Sequence, residues 1–319
     1  MNAHKLAIII PAYKVTYLEE TLLSLSKQSN LRFTVYIGDD ASPYDLNVII
    51  DQYREKLDIV YHRFENNLGS VSLTKQWERS VGLSKEEWIW LFSDDDVIEK
   101  NAVQVFYDSY NESCKLYKFH TQVIDGNGAV NQYYAKFDNQ NKFEDSISSV
   151  DFIRNRLACN GFRSFAVEYI FHRSFYERFK FVDFPLAWGS DDATWLLYSL
   201  ANNRQINLLN AIVYWRYSGL NISSDSKSLI VVGKKIEAAV EYVKWVKTTA
   251  EASNVGLSDS LILHWFSIQI ASLRSEINYS EFKQLIKRST LNTSNLTLLL
   301  CYFSVIKKRR IINLLKIGK

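Results

Sequence analysis

Short apolar runs rich in β-branched and aromatic residues alternate with longer amphipathic stretches over the first hundred residues of this 319-residue chain. The runs have the length and composition of strands, and the stretches repeat their apolar positions with helical spacing. Predicted strands lie at residues 6–10, 32–38, 58–63 and 88–92, and predicted helices lie at residues 17–28, 45–55 and 70–81. This alternation predicts an α/β fold with a mostly parallel central sheet flanked by helices. Ligands of such sheets bind beyond the carboxyl ends of the strands.

The pattern changes at about residue 116. A strand at 116–124 that enters a tight turn at 125–128 is followed by a helix near 150–157, a strand near 167–171, a helix at 191–201 and a strand at 211–217. After residue 226 the apolar positions keep helical spacing throughout. We therefore predict an α/β domain over residues 1–225 and an all-helical C-terminal region over residues 226–319.

Composition narrows the class of protein. Hydrophobic residues make up 47% and charged residues 23% of the chain, as in ordinary globular proteins. The three cysteines (Cys114, Cys159 and Cys301) and five histidines are scattered, which argues against a disulfide framework and a zinc centre and favours a reducing, cytosolic setting. The apolar run at 296–306 has about half of the roughly 20 residues that a membrane span needs, so we expect no spanning helix.

The net charge of +3 is unevenly distributed. From Phe282 to the end there are no acidic residues and nine basic ones, namely Lys283, Lys287, Arg288, Lys307, Lys308, Arg309, Arg310, Lys316 and Lys319. The part of the chain before Phe282 has 29 basic and 35 acidic residues and is therefore negatively charged. This negative charge predicts no nucleic-acid partner. The basic tail indicates peripheral association with an anionic membrane surface. A solvated tail, or packing of the tail against the body, is the alternative.

Two acidic clusters directly follow predicted strands. Asp39 and Asp40 come after the strand that ends at Gly38, and Asp94, Asp95 and Asp96 follow the strand at 88–92. Parallel strands would bring both clusters to one rim, where adjacent carboxylates repel one another unless a cation compensates them. Oxygen ligands of this kind suit Mg²⁺ or Mn²⁺. The alternative is that these residues only form turns and helix caps.

A third acidic pair, Asp191 and Asp192, opens the helix predicted at 191–201. Acidic residues at a helix N-terminus favour the helix dipole, so capping alone would explain them. Together with the other two clusters, however, the pair becomes the candidate general base, a carboxylate held apart from the metal site.

Five segments carry these residues in a characteristic order. They are Ile8-Ile9-Ile10-Pro11-Ala12-Tyr13, Asp39-Asp40-Ala41-Ser42, Asn67-Leu68-Gly69, Trp90-Leu91-Phe92-Ser93-Asp94-Asp95-Asp96 and Gly189-Ser190-Asp191-Asp192. Their order and spacing over residues 5–225 resemble the family 2 glycosyltransferases. The resemblance implies the Rossmann-like GT-A fold, with residues 1–225 as the catalytic domain, and sugar transfer with inversion at the anomeric carbon.

The resemblance also implies roles for individual residues. The nucleotide would be bound by Pro11, Ala12, Tyr13, Asp39, Asp40, Asn67, Gly69, Lys75, Asp94 and Arg216. A divalent Mn²⁺ or Mg²⁺ would sit on Asp94, Asp95 and Asp96, and Asp192, with Asp191 beside it, would be the catalytic base. Aromatic faces suit the C–H surfaces of sugars, so Trp188 is a candidate acceptor platform, with an ordinary core aromatic as the alternative.

Some positions depart from the family pattern. Ser93 stands where the first Asp of the metal motif often falls, which leaves open which of Asp94, Asp95 and Asp96 ligates the ion. Asp191 stands where Glu is usual, and Ser218 lies near the place of the family's late His. The resemblance still implies metal dependence, carried by Asp94, Asp95 and Asp96.

The predicted function is inverting transfer of a sugar from a nucleotide-diphosphate donor, by resemblance a UDP-sugar, to a hydroxyl of a glycan acceptor. Family members in bacterial surface-polysaccharide assembly often extend lipid-linked acceptors at the cytoplasmic face, so the resemblance implies a cytoplasmic protein, with peripheral binding at the cytoplasmic face of the inner membrane as an extension of that expectation. A Mg²⁺-dependent phosphohydrolase or nucleotidyltransferase and a non-catalytic sugar-nucleotide-binding subunit are the alternatives. The first strand ends in Pro11-Ala12-Tyr13, without the Asp-x-Asp-x-Thr of a phosphatase or the GxGxxG of a dinucleotide-binding enzyme.

Overall fold

The structure, a computed structural model, describes residues 5–136, 143–219 and 228–309. The predicted domain boundary at residue 225 lies outside the described residues, as do Arg310, Lys316 and Lys319 of the basic tail. No helix of the described ranges is both long enough and apolar enough to cross a membrane.

Nine strands of the described residues form one mixed sheet. They are β1 (Leu6–Ala12), β2 (Phe33–Asp39), β3 (Ile59–Arg63), β4 (Trp88–Leu91), β5 (Val97–Ile98), β6 (Leu116–Asp125), β7 (Ser146–Ser148), β8 (Tyr169–His172) and β9 (Gln205–Tyr217). Their order is β3-β2-β1-β4-β8-β6-β9-β5, with β7 also paired to β9. The first four are parallel, as predicted, and β8 joins them to the parallel β6–β9 pair by running antiparallel to both β4 and β6.

Twelve α-helices accompany this sheet in the described part of the chain. They are α1 (Leu18–Ser26), α2 (Asn47–Ile50), α3 (Leu73–Val81), α4 (Ala102–Ser109), α5 (Gln132–Lys136), α6 (Ser149–Ala158), α7 (Arg173–Phe179), α8 (Ser190–Ala201), α9 (Leu229–Ala252), α10 (Asp259–Leu273), α11 (Tyr279–Arg288) and α12 (Asn295–Cys301). A π-helical turn at Tyr302–Lys307 continues α12. The region after residue 228 is helical, as predicted.

The core lies on both faces of the sheet because alternate side chains of a strand point to opposite sides. Ile8 and Ile10 of β1 belong to a cluster with α1 and α4, whereas Ala7 and Ile9 belong to a second cluster with α6 and α8. The same second cluster contains the buried apolar residues of α9 and α10. The C-terminal helices therefore share a hydrophobic core with the sheet.

Candidate active site

A cleft of about 900 Å³ opens beyond the carboxyl ends of β1, β2 and β4. A cavity of this size is within the range of small-molecule and cofactor sites. Of the predicted site residues, the structure brings twelve to its lining: Pro11, Ala12, Tyr13, Asp40, Asn67, Gly69, Asp94, Asp95, Asp96, Trp188, Asp191 and Asp192. Asp39, Lys75 and Arg216 are not part of this lining.

Asp39 is fully buried and its carboxylate faces other protein groups. One oxygen accepts a hydrogen bond from the Ser42 amide at 2.7 Å, and the other accepts from the Tyr61 hydroxyl at 2.6 Å and from Arg63 at 2.9 Å. Burial, and then the bond to this carboxylate, raise the pKa of Tyr61 to about 12. Asp39 therefore holds the loop after β2 against β3, and its predicted nucleotide contact stays a prediction.

Asp40 ties the loop at residues 67–69 to the end of β2. Its two oxygens accept hydrogen bonds from the amides of Leu68 at 2.7 Å and Gly69 at 2.9 Å, and Arg79 also donates to it. A Cβ at residue 69 would lie only 2.6 Å from an Asp40 oxygen, so only glycine permits this approach. The glycine of the predicted motif thus allows the loop to close on a carboxylate of the cleft.

The acidic segment after β4 is anchored to two other strand ends. One oxygen of Asp94 accepts hydrogen bonds from the amides of Tyr13 at 2.9 Å and Lys14 at 2.8 Å. Asp96 accepts from the Arg216 amide at 2.7 Å, and Lys14 lies 3.6 Å from an oxygen of Asp95. Backbone amides and one ammonium thus hold the segment in place.

The charge of this segment is only partly compensated within the described residues. Burial, and then the charge of Asp95, raise the pKa of Asp94 to about 6. The same two causes, in the same order, raise the pKa of Asp96 well above its ordinary value. Buried carboxylates that resist ionisation next to one another form a donor set suited to a hard cation.

These side chains fit a magnesium-type site rather than an all-protein metal cage. Among the described residues, no group of three or more metal-ligating side chains converges on one point. Mg²⁺ is usually bound through one or two carboxylates together with waters and substrate phosphates, so one or two members of Asp94, Asp95 and Asp96 would suffice.

Arg216 supports the acidic segment from behind. Its side chain is buried, donates to the Asp95 carbonyl at 2.8 Å and to Glu20 at 2.6 Å, and lies over the ring of Tyr17. Lys75, for its part, pairs with Glu78 at 2.8 Å on the surface of α3. Neither side chain reaches the cleft, and their predicted diphosphate contacts stay predictions.

Asp191 and Asp192 lie in the first turn of α8, at the other end of the cleft. Arg156 of α6 binds both oxygens of Asp192, with Nε at 2.8 and 2.9 Å and Nη2 at 2.7 Å. The carboxylate of Asp191 accepts a hydrogen bond from the backbone amide of Asp192 at 2.9 Å. Burial, and then the charge of Asp192, raise the pKa of Asp191 to about 7. Arg156 was not predicted as a site residue, and no motif around it in the sequence could have identified it.

Gly189 and Tyr242 determine how α8 begins. Gly189 has a left-handed φ of +84°, and a Cβ there would lie 3.0 Å from the ring of Tyr242 on α9. The Tyr242 hydroxyl is buried without a hydrogen-bond partner among the described residues. A residue of the C-terminal helices is therefore in direct contact with the turn that places the carboxylate pair.

Aromatic side chains from distant segments complete this end of the cleft. Trp188 lies under the ammonium of Lys235 from α9, at 4.6 Å from the ring centroid. Trp265 and Gln269 of α10 line the cleft as well, and Phe165 stacks on Trp215 at 4.1 Å. Apart from Trp188, these residues were not predicted, because helical spacing alone makes Trp265 look like an ordinary core residue.

Comparison with known proteins identifies the family of this chain. Residues 7–171, just over half of the chain, match the profile described as Glycosyl transferase family 2. The chain is 29% identical over 117 residues to abequosyltransferase RfbV of Salmonella typhimurium, covering 35% of this chain and 34% of that protein. It is 26% identical over 161 residues to the poly(ribitol-phosphate) beta-N-acetylglucosaminyltransferase TarS of Staphylococcus aureus, covering 48% of this chain and 26% of that protein. The matches thus span about a third or less of these relatives.

The fold agrees over a longer stretch. The crystal structure of S. aureus TarS residues 1–349 in complex with UDP-GlcNAc covers 99% of this chain and 92% of that chain, with a TM-score of 0.63 and 18% sequence identity. The helices after residue 228 are included in this similarity, and it supports the GT-A fold. On the family match and this fold, the chain belongs to glycosyl transferase family 2.

Proposed function

We propose that this protein is an inverting glycosyltransferase that moves a sugar from a nucleotide-diphosphate donor to a hydroxyl of a glycan acceptor. One observation carries the proposal: a single cleft holds the Asp40–Gly69 loop and the acidic segment at one end and the Asp191–Asp192 pair at the other. Family membership and the UDP-GlcNAc in complex with the similar TarS structure favour a UDP-sugar as donor.

The donor end of the cleft would bind the nucleotide and its diphosphate. Pro11, Ala12 and Tyr13 would border the base and ribose, with Asp40 and Asn67 as polar contacts. Asp94, Asp95 and Asp96 would hold Mn²⁺ or Mg²⁺. When bound, such an ion stabilises the negative charge that develops on the departing diphosphate. Lys14, which lies beside Asp95 at the same end, would add a positive charge near that group.

The acceptor end would bind a sugar and remove its proton. A carboxylate of the Asp191–Asp192 pair takes the proton of the acceptor hydroxyl, and attack from the face opposite the diphosphate inverts the anomeric configuration. The faces of Trp188 and Trp265 suit the C–H surfaces of a pyranose ring, and the Gln269 amide offers hydrogen bonds to its hydroxyls. In this assignment the GT-A domain, residues 1–225, and the helical region, residues 226–319, both contribute to acceptor binding.

A membrane-facing surface would favour a lipid-linked acceptor. Along α12 and the following turn, Leu298, Tyr302 and Ile306 are buried, whereas Leu296, Leu300 and Phe303 are exposed by 66%, 61% and 57%. The exposed three recur at helical spacing and are followed by Lys307, Lys308 and Arg309. An apolar stripe next to basic residues is the pattern of a helix that lies on an anionic bilayer. We infer peripheral binding of this surface to the cytoplasmic leaflet.

The test is turnover and binding across a panel of UDP-, GDP- and dTDP-sugars, with Mn²⁺, with Mg²⁺ and with EDTA. Metal-dependent release of one nucleoside diphosphate, with inverted configuration of the product, is expected. Asp40→Asn should weaken binding of that nucleotide, whereas Tyr133→Ala, which changes an exposed residue outside the cleft, should not. Failure of every donor to bind would contradict the proposal. Release of phosphate from simple phosphate esters would favour a phosphohydrolase instead.

A further inference from the structure

Four aromatic side chains form a continuous strip along one wall of the cleft. Phe165 stacks on Trp215, with the ring centroids 4.1 Å apart and the ring planes within 4° of parallel. The ring of Trp215 lies 6.0 Å from that of Tyr217, which in turn lies 5.6 Å from that of Tyr134. All four residues line the cleft. They come from three separate parts of the chain, so this aromatic strip exists only in the folded protein.

The aromatic strip lies beyond the acidic segment, on the side away from the proposed nucleotide contacts. In the order of the sheet, β1 and β2 lie on one side of β4, and β8, β6 and β9 lie on the other. Trp215 and Tyr217 are at the carboxyl end of β9 and share one side of it, because side chains two residues apart point the same way. Phe165 lies shortly before β8. The strip therefore borders the half of the cleft that the nucleotide would not use.

The strip also continues from the carboxylate pair at the start of α8. Arg156, which binds Asp192, donates a second hydrogen bond to the Phe162 carbonyl at 2.8 Å. The two residues between Phe162 and Phe165 line the cleft. The segment thus leads from the carboxylate pair to the first ring of the strip, and a chain of sugars with its reacting hydroxyl at that pair would meet the strip with its following units.

Exposure distinguishes the strip from an ordinary core cluster. Tyr217 is 39% exposed, and Tyr134, Phe165 and Trp215 are half-buried. Tyr134 and Tyr217 belong to neither of the two hydrophobic clusters that the described residues form. Tyrosine rings at a wet surface offer an apolar face together with a hydroxyl group, which suits both the C–H faces and the hydroxyls of sugars.

Arg163 holds the outer end of the strip in place. Its buried guanidinium lies 4.8 Å from the centroid of the Tyr134 ring and also donates to the Tyr134 backbone carbonyl. No residue of α5, which carries Tyr134, is buried. These two contacts therefore keep the ring at the cleft where the packing of its own helix does not.

We propose that the aromatic strip is a binding site for the second and following sugar units of an oligosaccharide acceptor. The inference rests on the proposed function and names its acceptor class as a chain of sugars rather than a single sugar. The reacting unit lies at the carboxylate pair, and the units behind it stack on the rings of Trp215, Tyr217 and Tyr134.

Binding of sugars of increasing length tests the inference directly. The probes are glucose, mannose and N-acetylglucosamine, each as the monosaccharide and as its linear disaccharide and trisaccharide, titrated calorimetrically with UDP present. One stacked aromatic contact is worth a factor of about 2–10 in affinity. In at least one series the trisaccharide should therefore bind about 10-fold more tightly than the monosaccharide.

Variants of single rings assign this gain to the strip. Tyr217→Ala and Tyr134→Ala should each remove most of the gain and leave the dissociation constant of the monosaccharide unchanged. Tyr134→Ala keeps the hydrogen bond from Arg163, since that bond is to the backbone. Tyr217→Phe keeps the ring and should keep the gain. Tyr133→Ala is the matched control, because Tyr133 is the adjacent tyrosine, is 71% exposed and is not part of the cleft lining.

Turnover gives a readout that general damage to the fold would not reproduce. With a donor that the wild type uses and a trisaccharide acceptor, Tyr217→Ala should raise the acceptor KM by about 10-fold and leave kcat and the dissociation constant for UDP unchanged. The strip contacts units away from the reacting centre, so its loss removes binding that the ground state and the transition state share.

Three outcomes would overturn the inference. The first is equal affinity for monosaccharide and trisaccharide in every series, and the second is a gain that persists in both alanine variants. The third is tighter binding of octyl than of methyl β-glucoside that Tyr217→Ala abolishes, because the strip would then bind a lipid chain. If the wild type uses no UDP-, GDP- or dTDP-sugar but shows the length-dependent gain, the proposed transfer fails and the strip stands as a glycan-binding site.

Discussion

Replacement of Gly189 by alanine tests whether the C-terminal helices hold the turn before Asp191 and Asp192 in place. Gly189 is the residue before α8, with a φ of +84°, and its Cα faces the ring of Tyr242. An added Cβ would lie 3.0 Å from one ring carbon and 3.4 Å from the next. The substitution therefore introduces both backbone strain and a steric contact.

The magnitude of the effect has two parts. A residue with a Cβ in the left-handed region costs about 1–2 kcal/mol. Overpacking against the ring of Tyr242, which is fully buried, adds about 1–3 kcal/mol. We expect Gly189→Ala to lower the free energy of unfolding by about 2–5 kcal/mol in total.

Gly128 provides a matched control. It has a similar φ of +80°, but a Cβ there would meet no atom within 4 Å. Gly128→Ala should therefore cost only the backbone part, about 1–2 kcal/mol. Urea unfolding of both variants, with an unchanged dependence on denaturant, measures the difference directly. Gly189→Ala should also slow UDP release more than it weakens UDP binding, since it displaces Asp191 and not the donor end.

Equal destabilisation of the two variants would refute this reasoning. It would mean that Tyr242 does not press on the turn and that the helices after residue 228 do not determine the position of the carboxylate pair. A Gly189→Ala variant with wild-type stability would further contradict the left-handed conformation of this residue.

Three other perturbations test other parts of the molecule. Leu300→Glu combined with Phe303→Glu should reduce binding to vesicles containing anionic lipid in a sedimentation assay, whereas Tyr133→Glu, at an exposed site on α5, should not. Equal binding of the two variants would show that the α12 surface is not the membrane-binding surface. Trp265→Leu should raise the KM for a glycan acceptor and leave the KM for the donor unchanged, and a change confined to the donor KM would place Trp265 outside the acceptor site. Lys118 and Glu168 form a buried ion pair at 2.5 Å, so Lys118→Met should lower the free energy of unfolding by about 3–5 kcal/mol, measured in urea, because it leaves the Glu168 charge unpaired. The double variant Lys118→Met with Glu168→Gln should lose much less. Equal losses in the two variants would contradict this explanation.

The local pattern of apolar residues was sufficient to predict much of the fold. The apolar runs of β1, β2 and β4 are strand-length and nearly continuous because these parallel strands are buried on both faces. By contrast, β5 and β7 have two and three residues and were not predicted. Strands so short carry no detectable periodicity, and they form only because β9 offers them hydrogen-bonding partners.

The sequence also located the cleft, since acidic residues that follow parallel strands must meet at one rim. The family resemblance favoured Asp40 over Asp39 as the nucleotide contact, but the strand pattern itself gave no physical reason for that choice. Consecutive side chains at the end of a strand point in opposite directions, and the register with β3 directs Asp39 toward Tyr61 and Arg63 and leaves Asp40 at the cleft.

The sequence by itself determined the α/β alternation, the family resemblance and the position of each acidic motif, because these depend on neighbouring residues. Only the tertiary structure decided what surrounds each motif. Arg156 is 36 residues from Asp192 in the chain, and Tyr242 lies on another helix still further along. The charge balance of the carboxylate pair depends on the packing of α6 and α9 against α8, and no local pattern encodes contacts between residues so far apart.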